Sequence, residues 1–279
     1  MQLDEQEIED FIDRALEEDI GRGDLTTNVT IPKDAVFRAA MVAREEIVVC
    51  GIDIALRCFE MMVPDLESDV LVDDGERVAK GTVLARVSGN ARAILAAERT
   101  ALNILQHLSG ISTEVRKYVD AVEGTGATMI DTRKTIPTLR NVAKYASFIG
   151  GARNHRIRLD DGVLIKDNHI AAVGSLTATV KAAQRATPAL TVIEVECDTL
   201  DQVKEAAESG VDMILLDNMD TAMMREAVEI VAKRCRIECS GGVRLDTVRE
   251  KAETGVDFIS SGRMTQSAAA VDIGLDFLD

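Results

Sequence analysis

Two arginines, a lysine and two of the chain's three histidines fall within one short stretch, NHRIRLDDGVLIKDNH at 154–169. The chain as a whole carries a formal net charge of -16, so this group of cations runs against its composition. Around the apolar run 163–165 it reads either as a solvated charged face or as a pocket for an acidic small molecule. The residues that follow the other apolar runs bear on that choice. ATMIDTRK ends in Arg133 and Lys134, GVLIKDN brings Lys166, TVIEVE brings Glu196 and DMILLDN brings Asp217. RIECSGG and DFISSG end in Ser240-Gly241-Gly242 and Ser261-Gly262. Guanidinium groups suit carboxylates because they bind them in bidentate fashion. Glycine turns ahead of a helix start offer backbone N–H groups that an anion can approach closely, although one such turn alone is equally an ordinary loop. Glu196 and Asp217 fit a general acid/base pair, Mg²⁺ partners, or counter-ions for a cationic transition state.

These ends can act together only if the fold gathers them. From residue 120 onward, continuous apolar runs alternate with segments of helical periodicity such as DTLDQVKEAAESG and DTAMMREAVEIVAKR. That alternation predicts an α/β fold with a parallel sheet covered by helices. The spacing suits a barrel-like arrangement, whose strand carboxyl ends meet at one mouth where such barrels place their active sites. No GxGxxG follows any strand, which argues against a dinucleotide-binding fold. Upstream, Ile8, Phe11, Ile12 and Ala15 predict an amphipathic helix stopped by Gly21 and Gly23. Residues 36–90 read as strands and turns around one helix near 53–62, with nothing catalytic among them. A long helix then runs from Asn90 to about Thr113. Glu98 and Arg99 are its only full charges beyond Ile94, so it is expected to be buried on most sides. Arg99 aligns with Asn103, Gln106 and Gly110 along one face. As a buried guanidinium it needs either a salt bridge or an anion to hold.

The composition narrows the partners. The hydrophobic share of 46% and charged share of 29% are those of an ordinary globular protein, and the length allows one or two domains. The acidic balance and the absence of Trp argue against nucleic acid. No apolar stretch approaches the ~20 residues of a membrane span, and the acidic start does not read as a targeting peptide. Five cysteines without paired metal spacing read as reduced core residues of a cytoplasmic protein.

With these motifs in place, the sequence resembles one family along essentially its whole length. EDIGRGDLTT, ERTALNILQHLSGIST, DTRKTIPTLR, KYASFIGGARNHRIRLDDGVLIKDNH, EVE, LLDNM, CSGG and ISSG are similar to quinolinate phosphoribosyltransferases. TRKT, NHR and KDNH in that order carry most of the specificity. The resemblance implies an N-terminal α/β sandwich-like domain over 1–108, which the tail 268–279 could join, and an open parallel α/β barrel over 109–267. It implies transfer of phosphoribose from 5-phosphoribosyl 1-pyrophosphate to quinolinate with loss of CO₂, giving nicotinate mononucleotide on the route to NAD. Arg133, His155 and Arg156 would hold the dicarboxylate, with Arg99 reaching in from the other subunit of a homodimer; further assembly is left open. Lys134 and Lys166 would face pyrophosphate and substrate anions. Glu196 and Asp217 would lie near the ribose and Mg²⁺, mainly through pyrophosphate and water. Thr132, Ser240, Gly241, Gly242, Ser261, Gly262 and Arg263 would complete the substrate contacts, the glycine turns cradling the 5-phosphate.

Two departures stand out. Gln266 occupies a place where the family pattern has histidine, and Arg158 and Asp161 put more charge after NHR than that pattern carries. His107 reads as a helix-interface residue. Two other functions remain open at this stage: a related phosphoribosyltransferase-like protein of molybdenum transport, and an aldolase that forms a Schiff base on Lys166.

Overall fold

The computed structural model describes Met1 and residues 3–278, which fall into two compact units. The first comprises Met1–Arg116, Asn141–Gly151 and Ala268–Asp279; the second comprises Lys117–Arg140 and Ala152–Ser267. The division lies within the long helix, between Arg116 and Lys117, and the segment 141–151 goes with the first unit.

In the first unit, α1 (Glu5–Ile20) starts where the Asp4 carboxylate accepts the Glu7 N–H, and it stops at Gly21, whose φ is 53°. A short α2 (Leu25–Thr30) follows, capped by Asp24. The sequence pattern did not foretell it, because Leu25 and Val29 are both exposed and leave no buried stripe to read. Next come β1 (Val36–Ala43), β2 (Ile47–Val48), α3 (Ile52–Met62), β3 (Glu67–Val70), β4 (Arg77–Val78) and β5 (Val83–Asn90). Strand β3 was also missed: all four of its residues are exposed on a sheet edge, where alternation has no meaning. The long helix, α4 (Ala91–Val122), runs further than its uncharged portion suggested. Most of it is buried as expected, but Arg99 and Asn103 are exposed. The charge-poor pattern therefore misplaced Arg99, which needs no internal partner.

The second unit holds the parallel sheet. Its strands are β6 (Thr128–Ile130), β7 (Val163–Ile165), β8 (Ile193–Cys197), β9 (Met213–Asp217), β10 (Arg236–Ser240) and β11 (Phe258–Ser260). Helix α5 (Arg140–Ile149) follows β6, and its residues from Asn141 onward belong to the first unit. Helices α6 (Asp167–Val173), α7 (Leu176–Ala186), α8 (Leu200–Glu208), α9 (Thr221–Val231), α10 (Val248–Ala252) and α11 (Arg263–Gln266) alternate with the later strands. The strand order β6-β11-β10-β9-β8-β7, all parallel, is that of a barrel left open between β6 and β7. Beyond β6, Arg153 forms a single parallel bridge with Ile130.

The period of two assigns the faces. Ile193, Val195, Cys197, Ile214, Leu216, Ile237, Cys239 and Ile259 alternate with Glu194, Glu196, Leu215, Asp217, Glu238, Ser240, Phe258 and Ser260. The first set is buried and apolar. The second carries the polar groups, which meet one another in the interior. All five cysteines are free; four are buried and Cys235 is partly exposed.

The chain ends by returning to the first unit. There β12 (Ile273–Phe277) pairs with β1 and completes a four-stranded antiparallel sheet, β12-β1-β5-β3. The segment before it passes so close to α4 that a side chain at Gly110 would sit 2.1 Å from the Ala269 carbonyl oxygen. Gln106 donates to the Ile273 carbonyl at 2.7 Å beside it. The Gln106–Gly110 face of α4 thus packs the tail, which the sequence did not distinguish from an anion-holding face.

Candidate active site

The carboxyl ends of β9, β10 and β11, with the loop after β6, form one cleft of about 660 Å³. It is lined by Lys134, Ser240, Gly241, Gly242, Ser261, Gly262 and Arg263, all singled out from the sequence, and also by Gln266. Gly241 has φ 83°, and a Cβ there would lie 2.2 Å from Asn218 Oδ1, so the turn needs glycine twice over. A Cβ on Gly262 would lie 2.6 Å from Lys134 Cδ. The Lys134 carbonyl accepts the Thr265 hydroxyl at 2.7 Å, and its N–H donates to Thr132 Oγ1 at 3.0 Å. Bare backbone, hydroxyls and cations facing one cleft suit a phosphate ester. One expectation needs correcting: the Ser240-Gly241-Gly242 turn does not open a helix, since α10 begins only at Val248. Its contribution is exposed amides and small size, without a helix dipole.

Asp217 ends β9 opposite Ser240, and one of its oxygens accepts the Asn218 side-chain amide at 2.6 Å. Asn218 itself is left-handed, with φ 55°. Asparagine tolerates that conformation better than most residues. Lys166 and Glu196 form an ion pair across the top of β7 and β8. The lysine side chain is 43% exposed, so the pair contributes little to stability, about 1 kcal/mol at most, and chiefly orients both groups. His169 accepts the Lys166 N–H through Nδ1 at 2.9 Å, which sets the direction in which β7 ends.

Arg133 and Arg156 are close enough for each charge to oppose the other. Desolvation, and then the charge of Arg133, hold the Arg156 pKa below its ordinary value. Arg156 Nη1 donates to the Gly162 carbonyl at 2.9 Å, but Nε of both arginines is buried with no hydrogen-bond partner. Two partly desolvated guanidiniums side by side, each with an unused donor, form a site that a dianion would complete. The loop holding them is firmly built. Asp131 accepts Asn154 Nδ2 at 2.7 Å and the His155 N–H at 2.8 Å, while Asp161 accepts the amides of Ile157 and Arg158. The extra charge of Asp161 thus closes a turn.

His155 is engaged on both sides of its ring. Its Nδ1 accepts the Arg156 N–H at 2.8 Å. Its Nε2 lies 2.9 Å from Glu194 and 3.4 Å from Glu238, both almost fully buried. Both ring nitrogens are thus engaged within the chain. Burial opposes a charge on the ring, but the bonds to Glu194 and Glu238 outweigh it and favour an extra proton within this cluster. The Arg156 amide pulls the other way, because a proton on Nδ1 would face an N–H donor. That contact decides the tautomer: the ring proton sits on Nε2, and a further proton retained here lies with Glu194. Burial and the neighbouring Glu238 raise the Glu194 pKa to about 7.

Among the described residues, His155, Glu194 and Glu238 are the one trio spaced like metal ligands. From Glu238 the chain of contacts continues: Ser260 donates to it at 2.5 Å and lies 2.9 Å from Ser240 Oγ. Glu194, Glu238, Asp131 and Ser260 were not selected from the sequence. Period-two spacing offered a signal for two of them, since Glu194 shares a face with Glu196 and Glu238 with Ser240.

A second cavity, of about 620 Å³, includes His155, Arg156 and Glu194 and is also lined by first residues of strands such as Val163, Met213, Arg236 and Phe258. Ile130 at the end of β6 and the 153–162 loop line it as well, so the cavity reaches the arginine loop from inside the barrel. Arg99 lies in the first unit and His107 is half-buried there, its pKa lowered by burial.

Comparison with known proteins gives a consistent result. The family model for the quinolinate phosphoribosyl transferase C-terminal domain matches residues 111–276, and that for the N-terminal domain matches residues 24–109. Nicotinate-nucleotide pyrophosphorylase [carboxylating] of Mycobacterium leprae is 44% identical over 273 residues, covering 96% of each chain. The crystal structure of NadC from Streptococcus pyogenes covers 100% of both chains with a TM-score of 0.95 at 37% identity. That of nicotinate-nucleotide pyrophosphorylase from Ehrlichia chaffeensis also covers 100% of both, with a TM-score of 0.94 at 40% identity.

Proposed function

The chain belongs to the quinolinate phosphoribosyl transferase family, and on that premise we propose that the mouth joins quinolinate to the phosphoribosyl group of 5-phosphoribosyl 1-pyrophosphate. The products are nicotinate mononucleotide, pyrophosphate and CO₂. The observation that carries this reading is the pair Arg133 and Arg156, desolvated, mutually repelling and each with an unused buried Nε. Quinolinate brings two adjacent carboxylates on a flat ring, which planar guanidiniums can bind in bidentate fashion.

The other residues follow from charge. The Ser240–Gly242 and Ser261–Arg263 turns receive the 5-phosphate, with Thr132 and Lys134 beside them. Lys166 meets substrate anions and is held in place by Glu196. As pyrophosphate departs, the ribose carbon becomes oxocarbenium-like, and Glu196 and Asp217 offset its positive charge. The pyridine nitrogen attacks that carbon. Once quaternised, the ring accepts the electron pair released when the adjacent carboxylate leaves as CO₂, and the carbon that bore it takes up a proton from water. No covalent bond to the protein is needed; positioning and electrostatics supply the catalysis.

Glu196 is engaged by Lys166 and Asp217 by Asn218, and neither belongs to a group of metal ligands among the described residues. This donor set fits a hydrated Mg²⁺ held chiefly by pyrophosphate oxygens, with the two acids at one remove. When bound, the ion neutralises charge on the departing pyrophosphate. Exhaustive chelation is therefore expected to abolish turnover and added Mg²⁺ to restore it; full activity after chelation would refute the requirement.

Arg99, exposed on α4, completes the site of the other subunit in a homodimer. A cytoplasmic setting is supported by the five free cysteines, and no helix of the described residues is long and apolar enough to cross a membrane. The test of the function is direct: the chain, given both substrates, forms nicotinate mononucleotide. Borohydride with a carbonyl substrate traps no imine on Lys166; a trapped imine would restore the aldolase reading.

A further inference from the structure

We propose that Glu194 and Glu238 are positioning residues for the dicarboxylate end of the site, acting on Arg156 through His155. The inference rests on the reading of Arg156 as a quinolinate-holding residue. It starts from a cost. Two carboxylates that are 98% and 99% buried inside a barrel destabilise it unless they hold something. What they hold is one face of His155, through Nε2. The opposite ring nitrogen fixes the amide of Arg156, and the carbonyl of Gly162 fixes its guanidinium from the far end. Asp131 clamps the two preceding residues. Each contact removes a rotation that would let the arginine collapse onto a nearer acceptor or turn away from Arg133. The unused Nε of Arg156 is then kept aimed without any substrate present, which is how a site becomes complementary before binding.

The same cluster suits a histidine at this position. A ring held by Nε2 presents Nδ1 as an acceptor, in a fixed direction, to the next residue's own amide. Lysine or arginine has no acceptor to offer there, and a carboxylate would add a third negative charge beside Glu194 and Glu238. Glu238 has a second attachment, to Ser260 and on to Ser240, so the anchor of the dicarboxylate end is continuous with the turn that receives phosphate.

Two measurements test this, one of them independent of catalysis. In the ¹⁵N-histidine-labelled wild-type protein, His155 is expected to show a protonated Nε2 and an unprotonated Nδ1 at neutral pH. Its signals are assigned by their loss in His155→Gln, and a protonated Nδ1 would overturn the proposal. In the second, Glu194→Met, which fills the space without an acceptor, should raise the quinolinate KM about tenfold with the phosphoribosyl pyrophosphate KM within about twofold, the size expected when one well-placed hydrogen bond is lost. Glu194→Gln keeps an acceptor oxygen and should restore the wild-type value. A merely structural role would lower the melting temperature and leave the two KM values in their original ratio. That result overturns the proposal, and wild-type turnover in the same assays keeps the proposed function separately testable.

Discussion

Arg156→Ala is expected to raise the KM for quinolinate by about 30- to 5,000-fold, the range that corresponds to losing ~2–5 kcal/mol from a desolvated charge pair. The KM for phosphoribosyl pyrophosphate should stay within a few-fold, because the cleft proposed for its phosphate is built from other strands. The free protein should barely lose stability. Removing Arg156 forfeits one hydrogen bond to Gly162 and the attraction of Glu194 and Asp161, but it relieves the larger costs of desolvation and of repulsion from Arg133. A thermal melt alongside the kinetics checks this, and a stable variant with a specific quinolinate defect is the expected outcome. Equal effects on both substrates would count against a carboxylate-holding role.

The second large effect concerns Arg99. It lies exposed on a helix with a largely buried face, with the charge of Glu98 beside it. Arg99→Ala and Arg133→Ala are each expected to abolish most activity. In a shared-site dimer, each site uses one subunit's Arg133 and the partner subunit's Arg99. A mixed dimer of the two variants has one intact site and one doubly damaged site, so random reassembly of an equal mixture should restore about a quarter of wild-type activity. If the subunits demonstrably exchange and no activity returns, Arg99 serves its own chain.

The parts legible in the sequence were those that physical periodicity marks. The runs MILLD and IEVEC are buried strands of a parallel sheet, and such strands read as continuous apolar segments. The polar residues that close them lie at one mouth because strand direction in a barrel leaves no alternative. Helix α2 and strand β3 escaped because their residues face solvent and carry no stripe. Arg99 was misjudged for the reverse reason: sparse charge predicts burial on average and says nothing about one residue. The paired carboxylates Glu194 and Glu238 were legible as inward-facing, yet a glutamate inside a strand reads first as an interruption. The placement of His155 was not legible at all. NHR identifies the residue, but only the fold shows that both ring nitrogens are used within the chain.

The central claim is that Arg133 and Arg156 hold an aromatic dicarboxylate while its nitrogen attacks the ribose and the quaternised ring then releases CO₂. Quinolinate carrying an isotopic label in the carboxyl group next to the nitrogen tests that claim most directly. The account predicts labelled CO₂ only when phosphoribosyl pyrophosphate is present, in equal amount to the nicotinate mononucleotide formed. Labelled CO₂ released without phosphoribosyl pyrophosphate, or mononucleotide formed with the label retained, would contradict it.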